Sequence, residues 1–343
     1  MQTERPKRTT IKDVAKEANV SVATISYVLN GKESISEETK ERVRAAIQKL
    51  NYVPDLSARG LSAKSSKLIG VVIPQTEPGS HLMLTNPFYS EIVSSIEYSA
   101  RINGYHLLIS GTDADADYLK LAMERKLDGI VIIGMYPDEF YNELKKTRIP
   151  IVLVDSYCLD HYFHSVQIND RYGAYIATKH LLENGHREIA LICGVQKEGG
   201  VIRKRYEGYA DALKEFGVPV RKDHVFEGVV DFDSGLALAQ RVVKSGVPFT
   251  AAFATADILA IGAMKAFRSL GWAIPDRISI VGFDDLSISR YMDPALTTVH
   301  QDIHRKGTSA MEMILRSIQY PEEGKQELTL PVTLVERESV RRM

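Results

Sequence analysis

Several polar and aromatic side chains follow short apolar segments and could bind or transform a small molecule there. Phe88 stands in the run Asn86–Tyr89 after the first such segment, and Asp257 and Asp284 follow later ones. Carboxylates placed in this way suit acid–base catalysis, but they equally suit hydrogen bonds from hydroxyl groups. Helix capping is the alternative for Asp257, and a core position is the alternative for Phe88.

Familiar catalytic and metal-binding patterns are absent from the sequence. It has no G-x-x-x-x-G-K-[ST] phosphate loop, no G-x-G-x-x-G after its first apolar segment, and neither G-x-S-x-G nor H-E-x-x-H. The histidines lack the spacing of metal ligands, and Cys158 and Cys193 are far apart in the chain. We therefore expect a binding protein rather than an enzyme, without a metal, a cofactor or a disulfide.

A second kind of chemistry is indicated near the N-terminus, where residues 22–29 have the pattern of a short helix. Its predicted inner side chains are Ile25, Val28 and Leu29, and its outer ones are Val22, Ala23, Ser26 and Tyr27. The outer face lacks the apolar stripe that docking to a partner helix needs, yet it can lie against base edges and phosphates. A three-helix protein-interaction domain is the alternative that periodicity alone leaves open.

Two further helices would position this face. The first carries an apolar stripe from Ile11 to Ala18 with Thr10 as its N-cap, and Ser21 offers an N-cap to the second. A third helix is predicted to begin at Ser36 and to bury Val43, Ala46, Ile47 and Leu50. Short helices joined by a tight turn match the helix-turn-helix geometry, in which the second helix enters the major groove of DNA.

Charge is distributed unevenly along the 343 residues. Residues 1–67 carry 13 Lys and Arg against 8 Asp and Glu, which leaves 30 basic and 36 acidic side chains for the remainder. A basic head on an acidic body suggests an anionic polymer as the partner of the head only. The first residues are polar rather than apolar, and no run approaches the roughly 18 apolar residues of a membrane span. We therefore expect a cytoplasmic protein with no membrane partner.

Two runs resemble the head of the lactose- and purine-repressor family of bacterial regulators: TIKDVAKEANVSVATISYVLNG over residues 10–31 and LNYVPDLSARGL over residues 50–61. The resemblance extends over nearly the whole chain. It implies a helix-turn-helix head at 8–53, a hinge helix at 54–62, and an effector-binding and dimerisation core at 68–343. The DNA contacts that it implies are Thr10, Ser21, Val22, Ala23, Thr24, Ser26, Tyr27, Asn30, Ala58, Arg59 and Leu61.

Two positions in this region bear on how DNA would be read. Leu61 matches a family position that enters the minor groove, where an apolar wedge kinks DNA at a cost of a few kcal/mol. A hinge of about eight residues is too short for a stable isolated helix, so a flexible linker is the alternative without DNA. Tyr27 departs from the Arg or His often found at its family position and cannot make the bidentate contact of Arg to guanine. The half-site sequence is therefore not implied by the resemblance.

The core has the pattern of an α/β protein. Segments such as Gly129–Ile133 and Ile151–Val154 are continuously apolar, and helical segments end at Gly before the next strand. The predicted fold class is multidomain: an all-α helix-turn-helix head plus an α/β core of two doubly wound lobes, which the resemblance identifies as periplasmic-binding-protein-like. The resemblance also implies that the chain recrosses, with a first lobe at about 68–156 and 291–320 and a second at about 157–290 and 321–343.

Ligands of doubly wound lobes bind beyond the carboxyl ends of the strands. The resemblance implies that Phe88 packs on a sugar or base, that Arg205 grips the ligand with its fork of donors, and that Asp257 accepts hydrogen bonds from hydroxyls. The remaining expected lining residues are Asp155, Phe232 and Asp284. The segment 74–85 is longer than is usual in the family and should lie at the mouth of the cleft.

We therefore expect a homodimeric transcriptional repressor that binds a pseudo-palindromic operator and responds to a small-molecule effector, with a sugar as the first choice. A nucleobase or nucleoside is one alternative effector. A partner phosphoprotein, as in catabolite-control members of the family, is another. A secreted solute-binding protein would share the two lobes but would not carry the head.

Overall fold

The computed structural model describes residues 9–29, 34–52, 65–74, 83–111, 118–156 and 162–343. The chain forms two compact units, residues 1–66 and 67–343. The predicted hinge helix lies outside the described residues, and so do Asn30, Ala58, Arg59 and Leu61. Most of the long segment after Pro74 lies outside them too.

The first unit contains the three predicted helices: α1 (Ile11–Glu17), α2 (Val22–Leu29) and α3 (Glu37–Lys49). Thr10 caps α1, since its side chain accepts a hydrogen bond from the Asp13 amide and the Asp13 carboxylate accepts one from the Thr10 amide at 2.8 Å. Ser21 accepts a hydrogen bond from the Thr24 amide at 3.0 Å. Asn19 has a φ of 53°, the left-handed conformation that lets the chain turn between α1 and α2.

A small apolar core holds the three helices together. Its buried side chains are Val14, Ala15, Ala18, Ile25, Val43, Ala46 and Tyr52. Ile47 and Leu50, which were predicted to be buried, lie half-buried at its edge. Ile25 is the buried residue of α2, so the packing of that helix depends largely on this side chain.

The second unit is built on two six-stranded sheets. The strands of the first sheet are β1 (Leu68–Val72), β2 (His106–Ser110), β3 (Gly129–Ile133), β4 (Ile151–Val154), β5 (His164–Ile168) and β11 (Glu327–Leu330). They lie in the order β11-β5-β4-β3-β1-β2 and are all parallel.

The strands of the second sheet are β6 (Ile189–Gly194), β7 (Val225–Gly228), β8 (Ala251–Ala254), β9 (Ser279–Asp284), β10 (Thr297–Gln301) and β12 (Val332–Val335). They lie in the order β12-β10-β9-β8-β6-β7, and β12 is antiparallel to β10 while the other pairs are parallel.

Eight helices of the described core connect and cover these strands. They are α4 (Pro87–Ile102), α5 (Tyr118–Glu124), α6 (Asp138–Leu144), α7 (Asp170–Glu183), α8 (Val201–Glu215), α9 (Phe232–Lys244), α10 (Asp257–Ser269) and α11 (Ile303–Gln319). Helix α11 packs on α4 and on strands of the first sheet, so it belongs to the first lobe. Gly307 allows this close approach, because a Cβ there would lie 2.9 Å from the carbonyl oxygen of Ile92. Among the described residues, no helix is long and apolar enough to cross a membrane.

The predicted lobe boundaries were wrong at three strands. β5 and β11 pair with each other in the first sheet, although both were placed in the second lobe, and β10 lies in the second sheet rather than the first. The chain passes between the sheets after β5, after β10 and after β11. β5 alternates buried and half-buried residues and β11 has only four residues, so the partners of these two strands are set by pairing with each other across the chain rather than by local pattern.

Candidate functional site

The outer face of α2 has the composition that the sequence predicted. Val22 and Tyr27 are 41% and 42% exposed, whereas Ile25 is fully buried against the other two helices. The remaining predicted contacts on or beside this helix are exposed or half-buried: Ser21, Ala23, Thr24 and Ser26. The helix therefore presents small and hydroxyl side chains around one aromatic ring, which allows its backbone to approach a groove of DNA closely.

A cavity of about 280 Å³ lies between the two lobes of the core. Its first-lobe wall comes from the loops after β1, β3 and β4 and from the start of α4, and its second-lobe wall comes from the ends of β6 to β9 and the start of α8. The apolar lining residues are Pro74, Phe88, Ile133, Met135, Val195, Val201, Ile202, Val230 and Ala256. The polar ones include Asn86, Tyr89, Asp155, Lys197, Arg205 and Asp284. The cavity thus lies at the carboxyl ends of the parallel strands, where ligands of such folds bind.

Arg205 lies on α8 and is held rigidly at the polar end of this cavity. Its Nε donates to the Asp170 carboxylate at 2.7 Å, and its Nη1 donates to the Thr255 carbonyl oxygen at 2.5 Å. The guanidinium also stacks on the Phe283 ring at 3.6 Å from the centroid. Because these contacts fix the plane of the guanidinium, its remaining donors have a defined direction.

Asp284 ends β9 beside Arg205, with one carboxylate oxygen 3.5 Å from Nη1. The same oxygen accepts a hydrogen bond from the Gln301 side-chain amide at 2.6 Å. Burial raises the pKa of this carboxyl to about 6, against the opposing effect of the Arg205 charge. The backbone at Asp284 has a φ of 118°, a conformation that L residues rarely adopt and that clusters at ligand sites.

Asp155 reaches the cavity from the first lobe, where it directly follows β4 and has a φ of 54°. Both of its carboxylate oxygens accept hydrogen bonds from the Lys306 ammonium, at 2.7 and 2.8 Å. Lys306 is fully buried on α11, and its third hydrogen bond goes to the Gln301 side-chain carbonyl at 2.5 Å. Burial raises the pKa of the Asp155 carboxyl, although the Lys306 charge opposes the shift.

Phe88 lies in the first turn of α4 and lines the cavity. Its ring packs edge-on against Tyr89 at 5.2 Å between centroids, and the Lys306 ammonium lies 5.5 Å from the ring centroid. The amide of Phe88 donates to the Asn86 side chain at 3.1 Å, which caps the helix. This arrangement offers an aromatic surface beside the polar groups.

Asp257 was predicted to bind the ligand, and the structure places it elsewhere. It is fully buried, does not line the cavity, and has both carboxylate oxygens occupied. They accept hydrogen bonds from the Leu286 amide at 2.9 Å and from the hydroxyls of Ser289 at 2.6 Å and Thr298 at 2.5 Å. Its role in the structure is to fasten the loop after β9 to the start of α10. Helix capping was the alternative considered for this residue, but no side-chain cap is formed there.

Phe232 also lies outside the lining of this cavity. It is the first residue of α9 and is 37% exposed, after the N-cap Asp231, whose side chain accepts from the Ser234 amide. Position in the sequence, next to two aspartates at a strand end, placed it near the cleft but could not determine which way the ring points.

Sequence reasoning missed two residues, Gln301 and Lys306, that hydrogen-bond to the carboxylates lining the cavity. Lys306 did carry a signal. It interrupts the buried stripe of α11, between Ile303 and Ala310, where an apolar residue would be expected. A charge in such a stripe must be paired, because a lone buried ammonium is costly. Gln301 ends a strand and has no comparable local signal.

Comparison with known proteins is informative for both units. Residues 10–55 match the sequence profile described as bacterial regulatory proteins of the lacI family, and residues 178–340 match that of a periplasmic binding protein-like domain. A relative from Pectobacterium carotovorum, the HTH-type transcriptional repressor PurR, is 36% identical over 338 residues, covering 96% of each chain. The chain belongs to the lacI family of bacterial regulatory proteins. A PurR repressor of Vibrio vulnificus is 32% identical to this lacI-family protein over 340 residues, which is 97% of this chain and 99% of the relative.

Solved structures agree with the family assignment. A lac repressor dimer bound to operator and the anti-inducer ONPF has a TM-score of 0.82 and 28% identity to this lacI-family chain, covering 98% of it and 100% of the repressor. A complex of the transcriptional regulator CelR with cellobiose has a TM-score of 0.72 and 26% identity, covering 97% and 100%. The protein is therefore a transcriptional repressor of the lacI family with a helix-turn-helix head and an effector-binding core, and not an enzyme.

Proposed function

We propose that the cavity between the lobes binds a sugar and that its occupancy controls the affinity of the head for operator DNA. The observation that carries the proposal is the meeting of two carboxylates from opposite lobes, Asp155 and Asp284, with Arg205 at one end of an apolar cavity. Sugar hydroxyls both donate and accept, so they suit a site that offers carboxylate acceptors together with guanidinium donors. The apolar walls and the Phe88 ring suit the less polar faces of a sugar ring.

Helix α8 adds donors to this site. It begins after Gly200 without a side-chain cap, and Gly200, Val201 and Ile202 all line the cavity. The first N–H groups of a helix have no acceptor within the helix. They can therefore donate to ligand oxygens on the side of the cavity opposite Asp155. Relatives with solved structures that hold cellobiose or ribose support a sugar as the ligand class.

A nucleobase is the second candidate, favoured by the relatives that carry the name PurR. A planar base could lie between the apolar walls, with its edge towards Asp284 and Arg205. The two candidates differ in the geometry of their polar groups, and a binding measurement separates them.

Thermal unfolding of the full chain tests both candidates in one series. The compounds are cellobiose, ribose, glucose, glucose 6-phosphate, hypoxanthine, guanine and inosine. A ligand at 100 times its Kd stabilises the native state by about 2.7 kcal/mol. For a core of this size that corresponds to a rise in Tm of roughly 5–10 °C. Asp284→Asn should reduce the shift, whereas Asp223→Asn, an exposed carboxylate on the second lobe, should leave it unchanged. No shift from any compound would overturn the small-molecule assignment and favour a partner phosphoprotein.

We propose further that α2 reads base edges and that two copies of the chain bind a pseudo-palindromic operator through paired heads and hinges. Selection of binding sites from random duplexes by the purified chain would yield the operator. Tyr27→Ala should then alter base preference, while Glu41→Ala on the exposed side of α3 should not. Leu61→Ala, in the hinge, should weaken operator binding more than nonspecific binding. Equal losses on all DNA for Tyr27→Ala and Leu61→Ala would contradict this division of roles.

The homodimer is part of the same proposal, since each half-site of a pseudo-palindrome needs one head. The solved structure of a lac repressor dimer bound to operator supports it. Sedimentation equilibrium of the full chain should give twice the chain mass without the selected duplex, and twice the chain mass plus the mass of one duplex with it. A monomer in both conditions would contradict the proposal.

A further inference from the structure

The polar end of the cavity is bonded to the segments in which the chain passes between the lobes. Asp170 directly follows the first passage of the chain between sheets, and it accepts a hydrogen bond from the cavity residue Arg205. Gln301 directly precedes the second passage, and it donates to the cavity residue Asp284. Two of the three passages are therefore fastened to side chains that line the cavity.

Gln301 has only one favourable orientation in this network. Its carbonyl oxygen faces the Lys306 ammonium, which can only donate, and its amide nitrogen faces the Asp284 carboxylate, which accepts when ionised. Rotation of the amide by 180° would set donor against donor and acceptor against acceptor. The orientation of Gln301 is thus coupled to both groups at once.

Lys306 extends the network into the first lobe. All three of its N–H bonds are used, two by Asp155 and one by Gln301, and the side chain is fully buried. It lies on α11, which packs on α4 at the close contact of Gly307. A shift of the ammonium therefore cannot be absorbed by solvent. It must be followed by Asp155 or by α11.

We propose that Gln301 is the positioning residue through which an occupant of the cavity acts on the first lobe, by linking Asp284 to the Lys306–Asp155 pair. This inference rests on the proposed effector function of the cavity. An occupant that donates to Asp284 competes with the Gln301 amide for this acceptor. The change passes through Lys306 to Asp155, at the end of β4. The same hydrogen bonds hold the passages between the lobes in place when the cavity is empty.

Amide hydrogen exchange of the full chain without any added compound tests the link directly. Gln301→Met keeps the side-chain volume but forms no bond to Asp284 or Lys306. Exchange at residues 152–156, about 150 positions away in sequence, should increase about tenfold. Ser287→Ala is the matched control. It removes another hydrogen bond between the lobes, from the Ser287 hydroxyl to the Glu91 carboxylate at 3.1 Å, and should leave exchange at residues 152–156 unchanged.

Titration with operator DNA tests whether a compound in the cavity changes DNA affinity through Gln301. With the compound that stabilises the wild-type chain, operator Kd should change by a factor within the range of about 5 to 150. In Gln301→Met the compound should still bind, within about threefold of wild type, but the change in operator Kd should fall below threefold.

The outcomes separate this inference from the proposed function. If no compound alters operator binding by the wild-type chain, the effector function fails. Hydrogen exchange at residues 152–156 then decides by itself whether Gln301 links the passages between the lobes to Asp155. If the wild type responds and Gln301→Met responds equally, the inference is overturned while the effector function stands. Unchanged exchange at residues 152–156 in Gln301→Met would overturn it in either case.

Discussion

Replacing Asp257 distinguishes a residue that fastens the second lobe from one that binds the ligand. Asp257→Ala removes the acceptor of three buried donors, the Leu286 amide and the hydroxyls of Ser289 and Thr298. An unsatisfied buried donor costs about 1–3 kcal/mol. The two hydroxyls can rotate towards other acceptors but the amide cannot, so we expect a loss of about 2–5 kcal/mol in the free energy of unfolding, by the same reckoning.

Asp257→Asn should cost much less. The Asn oxygen can accept from Leu286 and Ser289, while its amide donates to the Thr298 hydroxyl, so we expect a change of about 1 kcal/mol. Trp272, the single tryptophan, lies on the second lobe and reports its unfolding in urea by fluorescence. The wild-type chain and both variants can be compared in this way at one pH and temperature.

The pH dependence provides a second measure of the same site. Burial raises the pKa of Asp257 to about 8, above its ordinary value of about 4. Between these values the folded state holds a proton that the unfolded state releases, so the free energy of unfolding falls as pH rises from about 4 to 8. The contribution is at most about 1.4 kcal/mol per pH unit. Asp257→Asn should lack it, so wild type should gain stability relative to this variant as the pH is lowered from 8 to 5.

Ligand affinity decides between the two roles. Asp257 does not line the cavity, so Asp257→Asn should bind the stabilising compound within about threefold of wild type, a difference under about 1 kcal/mol. A loss of affinity above tenfold with unchanged unfolding would refute the structural role. It would restore the contact that the sequence predicted.

Three further substitutions test the packing of the two units. Lys306→Met should destabilise the core by about 3–5 kcal/mol because it leaves Asp155 as an unpaired buried charge, and adding Asp155→Asn should recover most of the loss in urea unfolding. Ile25→Ala should lower the free energy of unfolding of the head by about 2–5 kcal/mol and abolish DNA binding in a filter assay. The urea midpoint reported by Trp272 fluorescence in the core should stay unchanged. Gly208→Ala should lower the free energy of unfolding, followed by Trp272 fluorescence, by about 1–3 kcal/mol or more, because its Cβ would lie within 3 Å of the α7 backbone.

Each of these substitutions has a control or an outcome that would contradict the prediction. Gly324→Ala introduces a Cβ with nothing within 4 Å and should leave the unfolding midpoint in place, in contrast to Gly208→Ala. For Ile25→Ala, a lower urea midpoint by Trp272 fluorescence would contradict the independence of the two compact units. If the double variant at Lys306 and Asp155 were no more stable than Lys306→Met alone, the cost would lie in packing rather than in the unpaired charge.

The head was predictable from the sequence because its information is local. Caps at Thr10 and Ser21, the apolar stripe of α1 and the single buried Ile25 of α2 each involve residues a few positions apart. The α/β class of the core followed for the same reason. Apolar strands and glycine-terminated helices are each visible within about 15 residues.

The tertiary structure alone decided which polar residues share the cavity. Asp257 and Asp284 both follow buried strands and look equivalent in sequence, yet one is enclosed by three internal donors and the other faces the ligand space. Lobe membership of β5 and β11 depended on their pairing with each other, more than 100 positions apart in the chain, and that of β10 on its pairs with β9 and β12. Lys306 and Gln301 acquire their roles only when Asp155 and Asp284 are brought to them from distant parts of the chain. The physical reason is that hydrogen-bond partners and strand neighbours are set by the global packing of apolar faces, which local spacing does not record.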